Sequence, residues 1–275
     1  MSKYARWCIS TLMALVLLAG VAPAQAVAGE QRYYLSLGDS LAFGFQRAKA
    51  EAGLPPAAFT TGYSDLLAAR LGHGRRALSL VNYGCPGEST TTYISGACPW
   101  QAAGLPLHDT YAGPQQDAAD AFLRANRGRV DVVTLSLWGN DANAFVASCN
   151  GNVQCIIEGA PAAIAAVAAN LSNTLTSIRR AAPDADVVVL GGYDANLGAF
   201  PLTHPIIRQL NLAMADVAAA NRARFADPFP IFNPDGDTGA TLCALTLICS
   251  QGDGHPSDAG YRALADLLHQ QLTAR

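Results

Sequence analysis

The chain has 275 residues, of which 51% are hydrophobic, 14% charged and 8% aromatic. This composition excludes a disordered or collagen-like polymer and indicates one globular domain or two small ones. The formal charge is −3 and no block of Lys and Arg is present, so nucleic acid is not an expected partner.

The N-terminus has the pattern of a secretory signal peptide. Lys3 and Arg6 precede an apolar stretch, residues 7–22, and a small-x-small tripeptide follows at residues 24–26. The alternative is a membrane anchor. The stretch is shorter than the ~20 apolar residues that a spanning helix needs, and Pro23 ends it, so the signal peptide is favoured.

Cleavage after Ala26 leaves a predicted mature domain of residues 27–275, and the tripeptide at 26–28 is the alternative cleavage site. Because the signal removes two cations and no acid, the mature charge is 16 − 21 = −5. No later apolar segment approaches spanning length. We therefore expect a monomer that is secreted, to the periplasm or the exterior, and that has no stable membrane insertion after signal removal.

Six cysteines remain in the predicted mature chain, and an even number in an exported protein predicts disulfides. Six cysteines allow fifteen pairings. The simplest pairing joins neighbours in the sequence: Cys85–Cys98, Cys149–Cys155 and Cys243–Cys249. Zinc binding is the weaker alternative, because no pair has the spacing of a zinc knuckle.

Short apolar runs alternate with helical patterns along the mature chain. Five runs predict β-strands: Tyr33–Leu37, Ala77–Val81, Val130–Leu137, Val187–Leu190 and Arg224–Ala226. Continuous apolar runs are typical of parallel strands covered on both faces. Apolar residues recur every three to four positions in three predicted helices, residues 164–178, 206–217 and 261–268. This alternation predicts a doubly wound, three-layer α/β sandwich.

The segment from Tyr83 to Pro114 is rich in Gly, Pro, Thr and Cys, so we predict that it is loop. A long loop stapled by a disulfide in a compact domain is usually functional. No repeat or linker marks a domain boundary. In doubly wound folds, ligands bind at the carboxyl ends of the strands, and the informative motifs of this chain lie there.

The first two motifs follow the first two predicted strands. Gly38-Asp39-Ser40-Leu41 places a hydroxyl at the sheet edge, where the N–H groups of a helix N-terminus favour developing negative charge. The alternative is an ordinary turn with an N-cap. Residues 82–87 read Asn-Tyr-Gly-Cys-Pro-Gly, which suits either a backbone that approaches a ligand or a disulfide-braced turn.

The other two motifs supply an amide and an imidazole. Residues 138–141 read Trp-Gly-Asn-Asp, and Asn140 there either donates to a substrate oxygen or makes local turn bonds. His255 precedes the last predicted helix, whose N-terminus is indicated by Ser257. A lone histidine is often structural, but beside a proposed nucleophile it becomes the candidate general base.

Together these motifs resemble the four sequence blocks of the SGNH hydrolases, also called GDSL esterases and lipases. They occur in the family's order from Ser40 to His255. The resemblance implies that Ser40 is the nucleophile, Gly87 a backbone oxyanion donor, Asn140 a side-chain oxyanion donor and His255 the general base. It also implies a three-layer α/β/α sandwich with a mostly parallel, flavodoxin-like sheet, and ester or thioester hydrolysis without a metal or cofactor.

Two positions depart from the family pattern. Trp138 stands where the third block usually has Gly, and its ring either narrows the acyl pocket or packs beside it. The fourth block usually reads Asp-x-x-His, but Gly252 stands three residues before His255 and Asp253 two before. Either an altered loop brings Asp253 to the imidazole to complete a triad, or a backbone carbonyl orients His255 and the unit is a dyad.

We therefore expect a secreted carboxylic ester hydrolase whose partner is a small-molecule or lipid ester. A carbohydrate O-deacetylase of the same fold is the enzymatic alternative, and a non-catalytic envelope-binding protein is the alternative from another class. The Gly-x-Ser-x-Gly elbow does not occur in the sequence, which argues against an ordinary α/β-hydrolase.

Overall fold

The structure is a computed structural model that describes residues 31–72, 78–196 and 203–274. The predicted signal peptide, residues 1–26, lies outside the described residues, as does Ala77 at the start of the second predicted strand.

The centre of the fold is a sheet of five parallel strands in the order β2-β1-β3-β4-β5. The strands are β1 (Arg32–Gly38), β2 (Leu78–Asn82), β3 (Val130–Ser136), β4 (Asp186–Leu190) and β5 (Arg224–Ala226). All five follow the predicted apolar runs with ends shifted by at most one residue. The order is that of flavodoxin-like sheets, in which the winding reverses between β1 and β3 and leaves a crevice at their carboxyl ends.

Helices cover both faces of this sheet. They are α1 (Ser40–Phe43), α2 (Arg47–Glu51), α3 (Tyr63–Gly72), α4 (Thr90–Ser95), α5 (Pro99–Ala102), α6 (Gln115–Ala125), α7 (Gly139–Ser148), α8 (Val153–Ala181), α9 (Thr203–Ala220), α10 (Phe229–Phe232), α11 (Ala240–Leu245), α12 (Ile248–Gln251) and α13 (Asp258–Thr273). A 3₁₀ turn spans Pro56–Phe59. Two short antiparallel strands, β6 (Thr246–Leu247) and β7 (Asp253–Pro256), precede α13.

Two apolar layers hold the helices to the sheet. On one face, Leu171 and Leu175 of α8 and Met214 of α9 are fully buried against the strands. On the other face, Leu67 of α3 and Leu264 of α13 are fully buried. The strands are therefore covered on both sides, which is why they are apolar without alternation. The predicted three-layer α/β/α sandwich is confirmed.

The segment 83–114 is not all loop as predicted, because it contains α4 and α5. Ser89 caps α4 in a capping box: its side chain accepts from the Thr92 N–H, and the Thr92 hydroxyl accepts from the Ser89 N–H. Pro99 occupies the first position of α5, where its missing N–H costs no helical bond. Local capping thus forms two short helices in a sequence whose composition is typical of loops.

The expectation that no later segment approaches membrane-spanning length was wrong. Helix α8 has 29 residues, and an 18-residue stretch of it has a mean hydropathy of 1.5, so by length and composition it is apolar enough to cross a bilayer. The prediction missed this because the first half of α8 is rich in alanine, which lacks a clear periodicity. Core helices pass the same test, and Val167, Leu171 and Ile178 of α8 belong to the buried layer.

The three disulfides join the predicted sequence neighbours. Cys85–Cys98 ties the segment after β2 to α5, Cys149–Cys155 ties the end of α7 to the start of α8, and Cys243–Cys249 ties α11 to α12. Each therefore closes a short local loop.

Candidate active site

The turn after β1 places Ser40 at the crevice. A Cβ on Gly38 would lie 1.9 Å from the Ser136 carbonyl oxygen, and Gly38 has a φ of 122°, so only glycine fits here. The Asp39 side chain then accepts from the Leu41 N–H at 2.9 Å and caps α1. The turn with an N-cap, which was the alternative reading of this motif, is therefore present and positions Ser40 as the first residue of the helix.

His255 lies between Ser40 and Asp253. Its Nε2 is 2.9 Å from Ser40 Oγ, and its Nδ1 is 2.6 Å from Asp253 Oδ1. The departure from Asp-x-x-His has a simple geometric resolution, because both residues belong to the extended strand β7. Residues two apart in a strand point to the same side, so Asp253 reaches the imidazole from a spacing of two.

The environment of Asp253 favours its ionised form. Its side chain is fully buried, and Oδ2 accepts the Arg47 N–H at 2.8 Å. Burial acts to raise the pKa of Asp253, but the hydrogen bonds from His255 and Arg47 outweigh it and lower the pKa to about 2. A carboxylate at Nδ1 favours the tautomer in which Nδ1 carries the proton and Nε2 accepts from Ser40.

A second buried carboxyl, Asp39, adjoins Ser40. Its Oδ1 accepts from the Leu41 N–H and from the Ser136 hydroxyl, both at 2.9 Å. Burial raises the pKa of Asp39 to about 7 in spite of these hydrogen bonds. The charge of Asp39 therefore changes near neutral pH, directly beside Ser40.

The second motif packs against α1. A Cβ on Gly84 would lie 2.4 Å from the Phe43 nitrogen, so this glycine permits close approach of the two backbones. The Cys85 N–H donates to the Gly38 carbonyl at 2.9 Å. The N–H groups of Ser40 and Gly87 have no hydrogen-bond acceptor among the described residues.

The third motif begins α7 and is held to the second. Asn140 Nδ2 donates to the Glu88 carbonyl at 2.8 Å, which leaves its other amide hydrogen without an acceptor among the residues described. The Asp141 carboxylate accepts from both the N–H and the hydroxyl of Thr90, and so fixes α7 to α4. The structure thus brings Ser40, Asn140 and the segment of Gly87 to the same edge of the sheet.

A cavity of about 380 Å³ extends from Ser40. Asp39, Asn140 and His255 contribute polar groups to its wall. Helices α7, α8 and α9 contribute apolar side chains, those of Phe145, Val146, Ile156, Ile206 and Ile207. We call this cavity the acyl groove.

Trp138 forms part of the wall of the acyl groove. A Cβ on Gly192 would lie 3.2 Å from its ring, and Tyr193 packs edge-on with ring centroids 6.5 Å apart. Trp138 is 8% exposed, so its ring is packed into the wall of the acyl groove.

A larger cleft of about 980 Å³ lies at the opposite edge of the sheet. Its charged residues pair with one another, as in the ion pairs of Arg32 with Asp131 and Arg224 with Asp186. Neither Ser40 nor His255 lines this cleft, so its size alone does not make it a candidate site. Among the described residues, Cys85, Glu88 and Cys98 are close enough to share a metal, but the two cysteines form a disulfide and offer no thiolate.

Sequence reasoning missed two groups near the site. Glu88 and Gln115 are fully buried and hydrogen-bonded to each other behind the first two motifs. Glu88 follows Gly87 directly and could have been found from that position. Gln115 lies far along the chain in α6 and carries no such signal. The second group is a further histidine–aspartate pair, His204 with Asp194.

Serine hydrolases use a serine hydroxyl, an imidazole and a carboxylate in series, beside unpaired N–H donors, and this site has the same arrangement. The sequence profile of the GDSL-like Lipase/Acylhydrolase family matches residues 36–263, and the chain belongs to this family. Membership makes it a carboxylic ester hydrolase, and the expected family and enzyme class are confirmed.

Solved structures of similar fold include lipases and esterases. An extracellular lipase from Streptomyces rimosus is 19% identical, with a TM-score of 0.58 over 87% of this chain and 99% of that one. A phospholipase A1 from Streptomyces albidoflavus is 18% identical, with a TM-score of 0.58 over 88% and 99%. An acetylxylan esterase from Geobacillus stearothermophilus is 14% identical, with a TM-score of 0.56 over 89% and 95%. A search of curated proteins found no match.

Proposed function

We propose that the protein is a secreted serine esterase that hydrolyses esters of apolar acyl chains through an acyl-enzyme on Ser40. The observation that carries the proposal is the series Ser40–His255–Asp253, with contacts of 2.9 and 2.6 Å, at the head of the acyl groove. Asp253 in contact with the imidazole favours the triad over the dyad. It also removes the reason to suspect a non-catalytic protein.

In the acylation step, Ser40 Oγ attacks the ester carbonyl carbon while His255 Nε2 takes its proton. The oxyanion accepts hydrogen bonds from the Ser40 and Gly87 N–H groups and the Asn140 amide, and each such donor is worth roughly 10²–10³ in turnover. The tetrahedral intermediate collapses, the bond between the acyl carbon and the alcohol oxygen breaks, and His255 gives its proton to the leaving alkoxide.

In the deacylation step, His255 takes a proton from water, and the resulting hydroxide attacks the acyl carbonyl. Collapse releases the carboxylic acid and returns the proton to Ser40 Oγ. Asp253 stays ionised throughout and stabilises the imidazolium that forms in each half-reaction.

The apolar side chains that line the acyl groove favour lipid-like acyl groups over acetyl. Isoleucine, valine and phenylalanine side chains gain free energy by covering a methylene chain, about 0.8 kcal/mol for each buried CH₂. An acetyl group leaves these apolar side chains in contact with water. The similarity to lipase and phospholipase structures supports this choice, whereas the acetylxylan esterase among the neighbours keeps the deacetylase as a second candidate.

Secretion is supported by the three disulfides, which persist in oxidising compartments, and by the signal-like N-terminal sequence. The measurement that checks it is N-terminal sequencing of the exported protein. We expect the mature chain to begin at Val27, or at Gly29 for the alternative site.

Hydrolysis of p-nitrophenyl esters from acetyl to palmitoyl, by wild type and Ser40→Ala, tests the chemistry and the acyl preference together. We expect kcat/KM to rise from acetyl to longer chains, and the Ser40→Ala variant to be inactive with an unchanged melting temperature. Labelling of Ser40 by a fluorophosphonate is the independent check. Folded wild type that neither labels nor hydrolyses any ester overturns the proposal, and activity confined to acetylated sugars selects the deacetylase instead.

A further inference from the structure

The fully buried side chain of Gln115, at the start of α6, clamps the peptide groups on both sides of Gly38. Its Oε1 accepts the Gly38 N–H at 2.7 Å, and its Nε2 donates to the Gly38 carbonyl at 3.0 Å. Gly38 is two residues before Ser40, in the turn that holds the nucleophile. The same carbonyl also accepts the Cys85 N–H. The amide of Gln115 therefore fixes the point at which the first two motifs meet.

Gln115 also reaches the segment of the oxyanion donors. Its Nε2 has one further hydrogen, which the Glu88 Oε2 at 3.2 Å and the Tyr111 hydroxyl at 3.1 Å share as acceptors. Glu88 is fully buried and directly follows Gly87, and its carbonyl oxygen accepts the Asn140 amide at 2.8 Å. One buried chain of hydrogen bonds thus runs from the nucleophile turn to both proposed oxyanion donors outside it.

We propose that Gln115, acting through Glu88, is a positioning residue that sets the separation between Ser40 and the oxyanion donors Gly87 and Asn140. The inference rests on the proposed function, because it assigns those donors their role. The physical reason is that an oxyanion hole acts only when its donors are placed in advance of the reaction. A displacement of about 1 Å costs roughly 10²-fold in rate. Gln115 touches no substrate and lies behind the site.

The fold contains a matched control for this clamp. Asn211 of α9 is buried, its Oδ1 accepts the Gly192 N–H at 2.7 Å, and its Nδ2 donates to the Gly192 carbonyl at 2.8 Å. It also donates to a carboxylate, Asp227 Oδ1, at 2.8 Å. Gly192 follows β4, and Gly38 ends β1. Each of the two side-chain amides therefore bonds both the N–H and the carbonyl of a glycine at the carboxyl end of a strand. They differ in that only Gln115 is bonded to the segment of the oxyanion donors.

The experiment compares Gln115→Met with Asn211→Leu, which remove equivalent pairs of hydrogen bonds without adding charge. We expect both variants to lower the melting temperature. Only Gln115→Met is expected to lower kcat, by roughly tenfold to a hundredfold, with KM for a p-nitrophenyl ester nearly unchanged. The rate of Ser40 labelling by a fluorophosphonate should fall in parallel, because that reaction also develops negative charge on oxygen.

If Gln115→Met does not fold, the comparison is made between Gln115→Glu and Asn211→Asp. Each of these variants places a new carboxyl group next to an existing acid, which is Glu88 in the first case and Asp227 in the second. A kcat that falls equally in the Asn211 variant, or that stays at the wild-type value in the Gln115 variant, overturns the positioning role while leaving the esterase proposal intact. Wild type that neither hydrolyses esters nor labels at Ser40 overturns both.

Discussion

Two histidine–aspartate pairs lie near the acyl groove, and they differ in what faces the outer ring nitrogen. His255 and His204 each place Nδ1 beside a fully buried carboxylate, 2.6 Å from Asp253 and 2.5 Å from Asp194. His255 Nε2 lies 2.9 Å from Ser40 Oγ. Among the described residues, no hydroxyl is bonded to His204 Nε2, and its side chain is 44% exposed against 27% for His255.

The carboxylate of the second pair is occupied by structural bonds. Asp194 Oδ1 accepts from the N–H and the side-chain amide of Asn196, and Oδ2 accepts the Thr203 hydroxyl at 2.5 Å as well as bonding His204. It therefore fastens the chain after β4 to the first turn of α9. The comparison teaches that a buried histidine–aspartate pair is by itself a structural unit, and that the nucleophile beside it gives it chemistry.

The largest effect is expected from removal of the two imidazoles. His255→Ala should lower kcat/KM by roughly 10⁴-fold or more, because no base remains to take the Ser40 proton. His204→Ala should leave kcat/KM nearly unchanged. The measurement is p-nitrophenyl ester hydrolysis by both variants at equal concentration of folded protein. Comparable losses in the two variants would mean that the second pair takes part in the reaction.

The next effect separates the two carboxylates. Asp253→Asn should lower kcat by roughly 10²–10⁴-fold, because the amide cannot favour the tautomer that accepts from Ser40. Asp194→Asn should leave kcat near wild type and lower the free energy of unfolding by ~1–3 kcal/mol, because hydrogen bonds at the start of α9 are lost. Urea unfolding measures the loss of stability in each of the two variants, and ester turnover measures the loss of kcat. A small kcat change in Asp253→Asn would favour a dyad.

A third carboxyl, Asp39, sharpens the comparison through pH. Its folded pKa of about 7 lies above its ordinary value of 3.8, so the folded state holds the proton more tightly. Its contribution to stability is therefore full below about pH 4 and is lost as the pH rises through 7, by up to about 4 kcal/mol. Asp253 has the opposite sign: its stabilisation is present above pH 3.8 and is lost as the pH falls towards 2.

The Asp39→Asn variant removes the first of these two effects. Urea unfolding at pH 5 and pH 8 should show wild type losing stability at the higher pH, whereas the variant loses less. The Asn side chain keeps the oxygen that accepts from Leu41, so the cap of α1 remains. Parallel stability profiles for the two proteins would show that Asp39 is already ionised in the folded state at pH 5, and would contradict the raised pKa.

The sequence predicted the strands and the motif residues because both depend on local signals. Five apolar runs marked the sheet, and Ser40 and His255 were found from short motifs next to strand and helix ends. The contact of Asp253 with His255 was left open, since the spacing of two becomes informative only once β7 is known to be extended.

Contacts between distant segments could not be predicted. Gln115 lies 77 residues from Gly38, and nothing in the surrounding residues distinguishes it from an ordinary first residue of a helix. Likewise, no local signal pairs His204 with Asp194, which lies ten positions earlier in the sequence. Such pairs are fixed by the packing of α6 and α9 on the sheet rather than by local sequence.

The smallest effect is expected from the removal of either of two disulfides, one before the strand that carries His255 and one in the wall of the acyl groove. Cys243–Cys249 and Cys149–Cys155 both close a sequence separation of 6, so replacing either pair by serine should cost about the same stability, ~2 kcal/mol in the chain-entropy model. The first loop leads into β7, which carries His255, whereas the second joins α7 to α8 in the apolar wall of the acyl groove.

Equal stability losses should therefore have unequal kinetic consequences. Loss of Cys243–Cys249 should lower kcat for every ester, because β7 holds the base against Ser40. Loss of Cys149–Cys155 should raise KM for long-chain esters and leave acetyl ester hydrolysis unchanged, because only the wall of the acyl groove loosens. Kinetics across the ester series, with melting temperatures as the reference, measure both. Identical kinetic profiles in the two double variants would contradict this division between the catalytic strand and the groove wall.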